Sequence, residues 1–89
     1  MAWKIEWVNE AVKDLRKLGR PAQTQIRNYL RNRIATGEDP RAYGKPLAGN
    51  LSGMWSYRVG DYRVICRMIN DELTVLVVSV GHRKDVYKR

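Results

Sequence analysis

"WSYRVGDYRV", residues 55–64, decides how the chain folds. Two runs of alternating apolar and polar residues meet at Gly60-Asp61, and glycine in the first loop position suits a two-residue type II′ hairpin turn. Closed there, the hairpin sets Arg58 directly across from Arg63 on one sheet face. Like charges placed opposite each other cost free energy, which is understandable if something negative sits between them. The register matters, because a slip of one residue would send both arginines into the core.

Downstream, "YRVICRMI" and "LTVLVVSV" join through "NDE", most simply with Asn70-Asp71 in the turn. The result is a three-stranded antiparallel meander. Alternation puts Trp55, Tyr57, Val59, Tyr62, Val64, Cys66, Met68, Leu73, Val75 and Val77 on an apolar face. Ser56, Arg58, Arg63, Ile65, Arg67, Thr74, Leu76, Val78 and Val80 fall on the other. The last strand is apolar on both faces, as expected inside a sheet rather than at its edge.

Upstream, "WKIEW" alternates Trp3, Ile5 and Trp7 against Lys4 and Glu6, the period-two mark of a short strand. Asn9 is placed to cap a helix over "EAVKDLRKLG", whose stripe is Val8, Ala11, Val12, Leu15 and Leu18. Gly19 ends it, and Pro21 suits the start of a second helix, "PAQTQIRNYLRNRIATG", which Gly37 stops. Arg27, Arg31 and Arg33 take its wetter side. "GEDPRAYGKPLAGNLSG" holds four glycines and two prolines and reads as a loop. Its length points to function rather than idle chain, with Leu47 and Leu51 expected to pin it. The predicted class is α+β, one domain over 1–89: an N-terminal strand, a helix hairpin and the meander, one sheet packed on two helices.

An apolar share of 44% and a charged share of 29% are ordinary for a globular chain and argue against disorder. No apolar run is long enough to span a membrane, and "MAWKIEW" lacks the features of a secretory signal. With a single cysteine, Cys66, and no Cys/His cluster of metal-ligand spacing, a reducing cytoplasm is the expected setting. Cys66 reads as a small buried hydrophobe. The net charge of +8 attracts polyanions: nucleic acid, acidic protein segments or anionic lipid.

Arg58 and Arg63 form the candidate anion site, since a guanidinium matches phosphate oxygens bidentately and keeps its charge. The bland alternative is two side chains splayed into solvent over aliphatic neighbours. Arg67 enlarges the patch. The run "SVGHRKDVYKR" adds His82, Arg83, Lys84, Tyr87, Lys88 and Arg89. Lys84, Lys88 and Arg89 fit a frayed basic tail as well as they fit RNA contacts. Tyr87 offers a ring for stacking on an unpaired base. His82 is the only histidine, the side chain whose ordinary pKa lies near neutrality.

The order of elements, with "GMWSYRVGDYRVICRMINDELTVLVVSVGHRKDVY", resembles the RelE branch of the RelE/ParE toxin superfamily over essentially the whole chain. The "YRVGDYRV" hairpin and the "HRKDVY" close are the most specific parts. Members are toxins of type II toxin–antitoxin pairs. The resemblance implies ribosome-dependent cleavage of mRNA in the A site, with no metal or cofactor and with a cognate antitoxin, the ribosome and mRNA as partners. It places family arginines on Arg63 and Arg83 and a family tyrosine on Tyr87. Two lysines of the first hairpin strand are replaced here by Ser56 and Arg58. Arginine does not serve as a base, so His82, Tyr87 or the ribosome is expected to handle the proton. Arg58, Arg63 and Arg83 are expected to clamp the phosphate, with Ser56, Arg67, Lys84 and Lys88 in further RNA contacts. Two other functions stay open: a ParE-like DNA gyrase inhibitor, and a nucleic-acid-binding module without catalysis.

Overall fold

The computed structural model describes residues 2–36 and 38–82. Strand β1 (Lys4–Trp7) leads into helices α1 (Asn9–Arg16) and α2 (Arg20–Tyr29). A π-helical turn, Leu30–Ile34, extends α2. Strands β2 (Lys45–Pro46), β3 (Met54–Val59), β4 (Tyr62–Ile69) and β5 (Thr74–His82) follow. They build one sheet in the order β1-β5-β4-β3-β2. The α+β class holds, and β5 lies inside the sheet as its two apolar faces require. Among the described strands only β1 runs parallel to its neighbour, pairing Ile5 with Val75 and Trp7 with Val77.

Both helices press their apolar stripes onto one sheet face. Ala11 and Leu15 of α1, Ile26 of α2, and Leu30 and Ile34 of the π-turn meet Tyr57, Val59, Val64, Cys66, Val75, Val77 and Val80. Each aliphatic residue of this size contributes roughly 1.5–3 kcal/mol when fully buried. Cys66 is completely buried, as expected of a small hydrophobe.

Several local expectations are corrected. Helix α1 begins at Asn9 itself; Val8 is its cap residue, and no side chain caps that end. The second helix ends at Ile34, where Ala35 N–H reaches back to the Leu30 carbonyl at 2.8 Å and Ala35 leaves helical geometry. The expected stop, Gly37, lies outside the described residues. The β4–β5 connection is a 3₁₀ turn over Asn70–Glu72, closed by Leu73 in the left-handed region at φ 48°.

The glycine-rich segment is more ordered than its composition suggests. It contains a 3₁₀ turn at Pro40–Tyr43, the edge strand β2, and a second 3₁₀ turn at Gly49–Leu51. Leu47 and Leu51 are only half-buried. The anchor is Pro40, fully buried, whose carbonyl accepts a hydrogen bond from the buried Tyr57 hydroxyl at 2.7 Å. Arg41 adds a second tie: it pairs with Asp39, donates to Asn70 Oδ1 and lies over the Trp3 ring. At Gly44 a Cβ would stand 2.9 Å from Tyr57 Cε1, so the segment crosses the tyrosine ring where only glycine fits.

The largest departure from plain alternation is in β5. Ile65 pairs with Ser79, but Cys66 pairs with Val77, which leaves Val78 as an extra residue. A bulge of this kind inverts the parity of everything beyond it. Val80 therefore turns into the core, 1% exposed, rather than onto the arginine face. Asp14 of α1, itself buried, accepts the Val80 N–H at 3.0 Å and so holds the strand at the bulge. Thr74, expected on the open face, is also fully buried.

Candidate functional site

The site grows from the β3–β4 hairpin. Gly60 sits at φ 60°, with no positive φ at Asp61, as a type II′ turn requires. The register pairs Val59 with Tyr62, Arg58 with Arg63, Ser56 with Ile65 and Met54 with Arg67. In a two-residue hairpin the pair flanking the loop is hydrogen-bonded, so Arg58–Arg63 is the closer, non-hydrogen-bonded kind, with Cα atoms about 4.5 Å apart. Both side chains stand on the face away from the helices.

Strand β2 completes a hollow that the hairpin alone would leave open. Lys45 pairs with Ser56, which puts it on the same face as both arginines. Tyr43, Lys45, Pro46 and Leu47 form one wall, and Ser56, Arg58 and Arg63 the other, around about 240 Å³. Ser56 and its cross-strand partner Ile65 are both buried beneath this face. The lining carries three cations and no carboxylate. The Arg63 Nε atom is buried and has no hydrogen-bond partner among the described residues. A buried donor left unmade costs roughly 1–3 kcal/mol.

The Tyr43 hydroxyl donates to Glu38 Oε2 at 2.7 Å, and that bond is the main reason its pKa is raised. Arg58 also walls a second, more open hollow of about 340 Å³ toward α2, where Gln25, Asn28, Asn32 and Arg33 gather. Among the described residues no three His, Cys, Asp or Glu side chains come together as metal ligands.

The structure thus brings Ser56, Arg58 and Arg63 to one hollow. Arg67 shares their face but lies four residues along β4 from Arg63, about 13 Å at strand spacing, and is not in the lining. His82 is not brought there. The bulge reverses the parity of β5, so His82 pairs with Tyr62, on the opposite face from Arg63. The His82 and Tyr62 ring centroids are 5.1 Å apart. Arg83, Lys84, Tyr87 and Lys88 lie outside the described residues. Lys45 was missed in the sequence, since nothing in "GKPLAG" marks a strand; its alignment with Ser56 depends on long-range pairing.

This is a small mixed sheet with a helix pair on one face and a cationic hollow on the other. Residues 5–87 match the family described as the ParE toxin of type II toxin–antitoxin system, parDE. The chain belongs to the RelE/ParE toxin family of type II toxin–antitoxin systems. It is 30% identical to Toxin RelG of Mycobacterium tuberculosis over all 89 residues, the full length of both chains. To the mRNA interferase toxin RelE of Escherichia coli it is 28% identical, across 94% of this chain and 86% of the relative. Its fold superposes with a TM-score of 0.85 and 28% identity on a chain of the toxin–antitoxin complex RelBE2 from M. tuberculosis, covering 93% of this chain and all of that one.

Proposed function

We propose that this protein is a ribosome-dependent endoribonuclease, the toxin of a type II pair, which cuts mRNA in the ribosomal A site. The 2′-hydroxyl attacks the adjacent phosphorus, the bond to the 5′-oxygen breaks, and a 2′,3′-cyclic phosphate and a 5′-hydroxyl remain. The observation that carries this proposal is the Arg58–Arg63 pair held over one hollow together with Lys45 and without a carboxylate. Like charges at this distance are stabilised by a phosphate between them, and a guanidinium neutralises charge as the phosphorane forms. The likeness to an mRNA interferase at 28% identity supports the same chemistry. In this proposal Arg83 and Tyr87 rest on family resemblance alone: Arg83 joins the clamp and Tyr87 stacks on or orients the nucleotide.

A cognate antitoxin is the proposed protein partner, supported by the solved toxin–antitoxin complex that this fold resembles. An acidic or amphipathic segment would suit a surface with net charge +8.

Primer extension on messages from cells expressing the chain tests the function. In-frame cuts within A-site codons are expected, and Arg63→Ala should lower the rate about 10²–10³-fold, the usual effect of losing one preorganised donor. The family description names ParE, which keeps gyrase inhibition as the second reading. Intact messages together with DNA double-strand breaks would replace the first proposal by that one.

A further inference from the structure

The cleavage proposed above moves two protons: one leaves the 2′-hydroxyl and one must reach the departing 5′-oxygen. Arg58 and Arg63 can stabilise charge, but a guanidinium does not give up its proton. Among the described residues around the hollow, the side chains with a transferable proton are Tyr43, Ser56 and Lys45. The Tyr43 proton is committed to Glu38 Oε2, and that bond makes it a weaker acid. Ser56 is a buried alcohol, a poor acid at any physiological pH. Lys45 is exposed, stands across from Ser56 and has no salt-bridge partner among the described residues. An ammonium carries three donors and can lose a proton.

The backbone around Lys45 is pinned on both sides. Gly44 lies against the Tyr57 ring, and the Leu47 N–H bonds the Met54 carbonyl at 2.9 Å. The ammonium therefore hangs from a fixed strand beside the two guanidiniums that line the same hollow. We infer that Lys45 is the general acid of the cleavage, an assignment that rests on the endoribonuclease proposal. As the 2′-oxygen bonds to phosphorus, its proton passes to water. The electron pair of the breaking P–O bond goes to the 5′-oxygen, which takes a proton from Lys45 Nζ. The resulting amine then recovers a proton from water.

The test is single-turnover cleavage on programmed ribosomes, with thermal melts confirming that each variant folds. Absence of cleavage by the unmodified protein would defeat the endoribonuclease proposal itself. Given cleavage, Lys45→Ala should slow it about 10²–10⁴-fold, and Lys45→Arg should not restore it. The double change Lys45→Ala/Ser56→Lys should recover at least about tenfold, because directly opposed Cβ atoms lie about 5 Å apart. On a message whose scissile 5′-oxygen is replaced by sulfur, a leaving group that needs no proton, the Lys45→Ala defect should vanish. A Lys45→Ala rate within about threefold of the unmodified protein, full activity in Lys45→Arg, or an undiminished defect on the 5′-thio message would each overturn the assignment.

Discussion

At the residue scale, two positions show how much a side chain's role depends on which face it occupies. His82 has the side chain best suited to proton transfer near neutral pH. It lies beside Tyr62 on the opposite sheet face from Arg63, and no proton passes between the two faces without a relay. His82→Ala is therefore expected to leave the cleavage rate within about threefold of the unmodified protein, and a pH–rate profile should keep its shape. A loss of the order that general acid–base groups supply, about 10²-fold or more, would put the histidine back at the site. Arg63 is the converse case. Its partner across the hairpin was legible from the Gly60-Asp61 turn, but the burial of its Nε without a partner was not. That burial depends on side chains packed around it from other parts of the fold.

At the element scale, the β5 bulge decides the site's membership. A strand with perfect alternation would carry Val80 and His82 onto the arginine face; one extra residue, Val78, turns both away. The bulge is tied to α1 by the bond from Val80 N–H to the buried Asp14 carboxylate. Asp14→Ala strands that amide and should cost about 1–3 kcal/mol. For a domain of this size each kilocalorie lowers Tm by about 4–8 °C. Asp14→Asn keeps an acceptor and should cost less. Calorimetry or urea melts would measure both, and an alanine variant as stable as the parent would show that the bulge does not need this tie. In the sequence Asp14 looks like one more polar residue beside a helical stripe, because its partner is 66 positions away. The edge strand β2 was hidden for a similar reason. Two residues make too short a run to show alternation, and Gly44 and Pro46 argued for a turn.

At the scale of the whole molecule, the core holds two protons that the unfolded chain would release in alkali. Burial pushes the Tyr57 hydroxyl above its ordinary value of 10.0 and the Cys66 thiol above its ordinary 9.0. Above those ordinary values the unfolded chain loses protons that the folded chain retains. The folded state then binds more protons, so stability falls as pH rises. The contribution of both groups is complete below about pH 9 and declines above it. Urea titrations at pH 8 and pH 11 should show a lower midpoint at the higher pH, and Tyr57→Phe should reduce the difference. An equal midpoint at both would mean these protons are not linked to folding. Charge acts at this scale as well: a surplus of eight positive charges favours a polyanionic partner, and the sheet gathers three cationic side chains around one hollow.

What the sequence determined by itself was everything governed by local periodicity and turn chemistry. Alternation with a period of two, a helical stripe, a glycine at the first hairpin position and an excess of basic residues were enough for the α+β class, the meander, the interior place of β5 and the opposed arginines. Tertiary structure alone decided the parallel seat of β1, the bulge, the parity of His82 and the arrival of Lys45 beside Ser56. Each of these depends on pairing between residues far apart in the chain. In such pairing one extra residue in a strand changes which face every later side chain meets, and no local pattern records it.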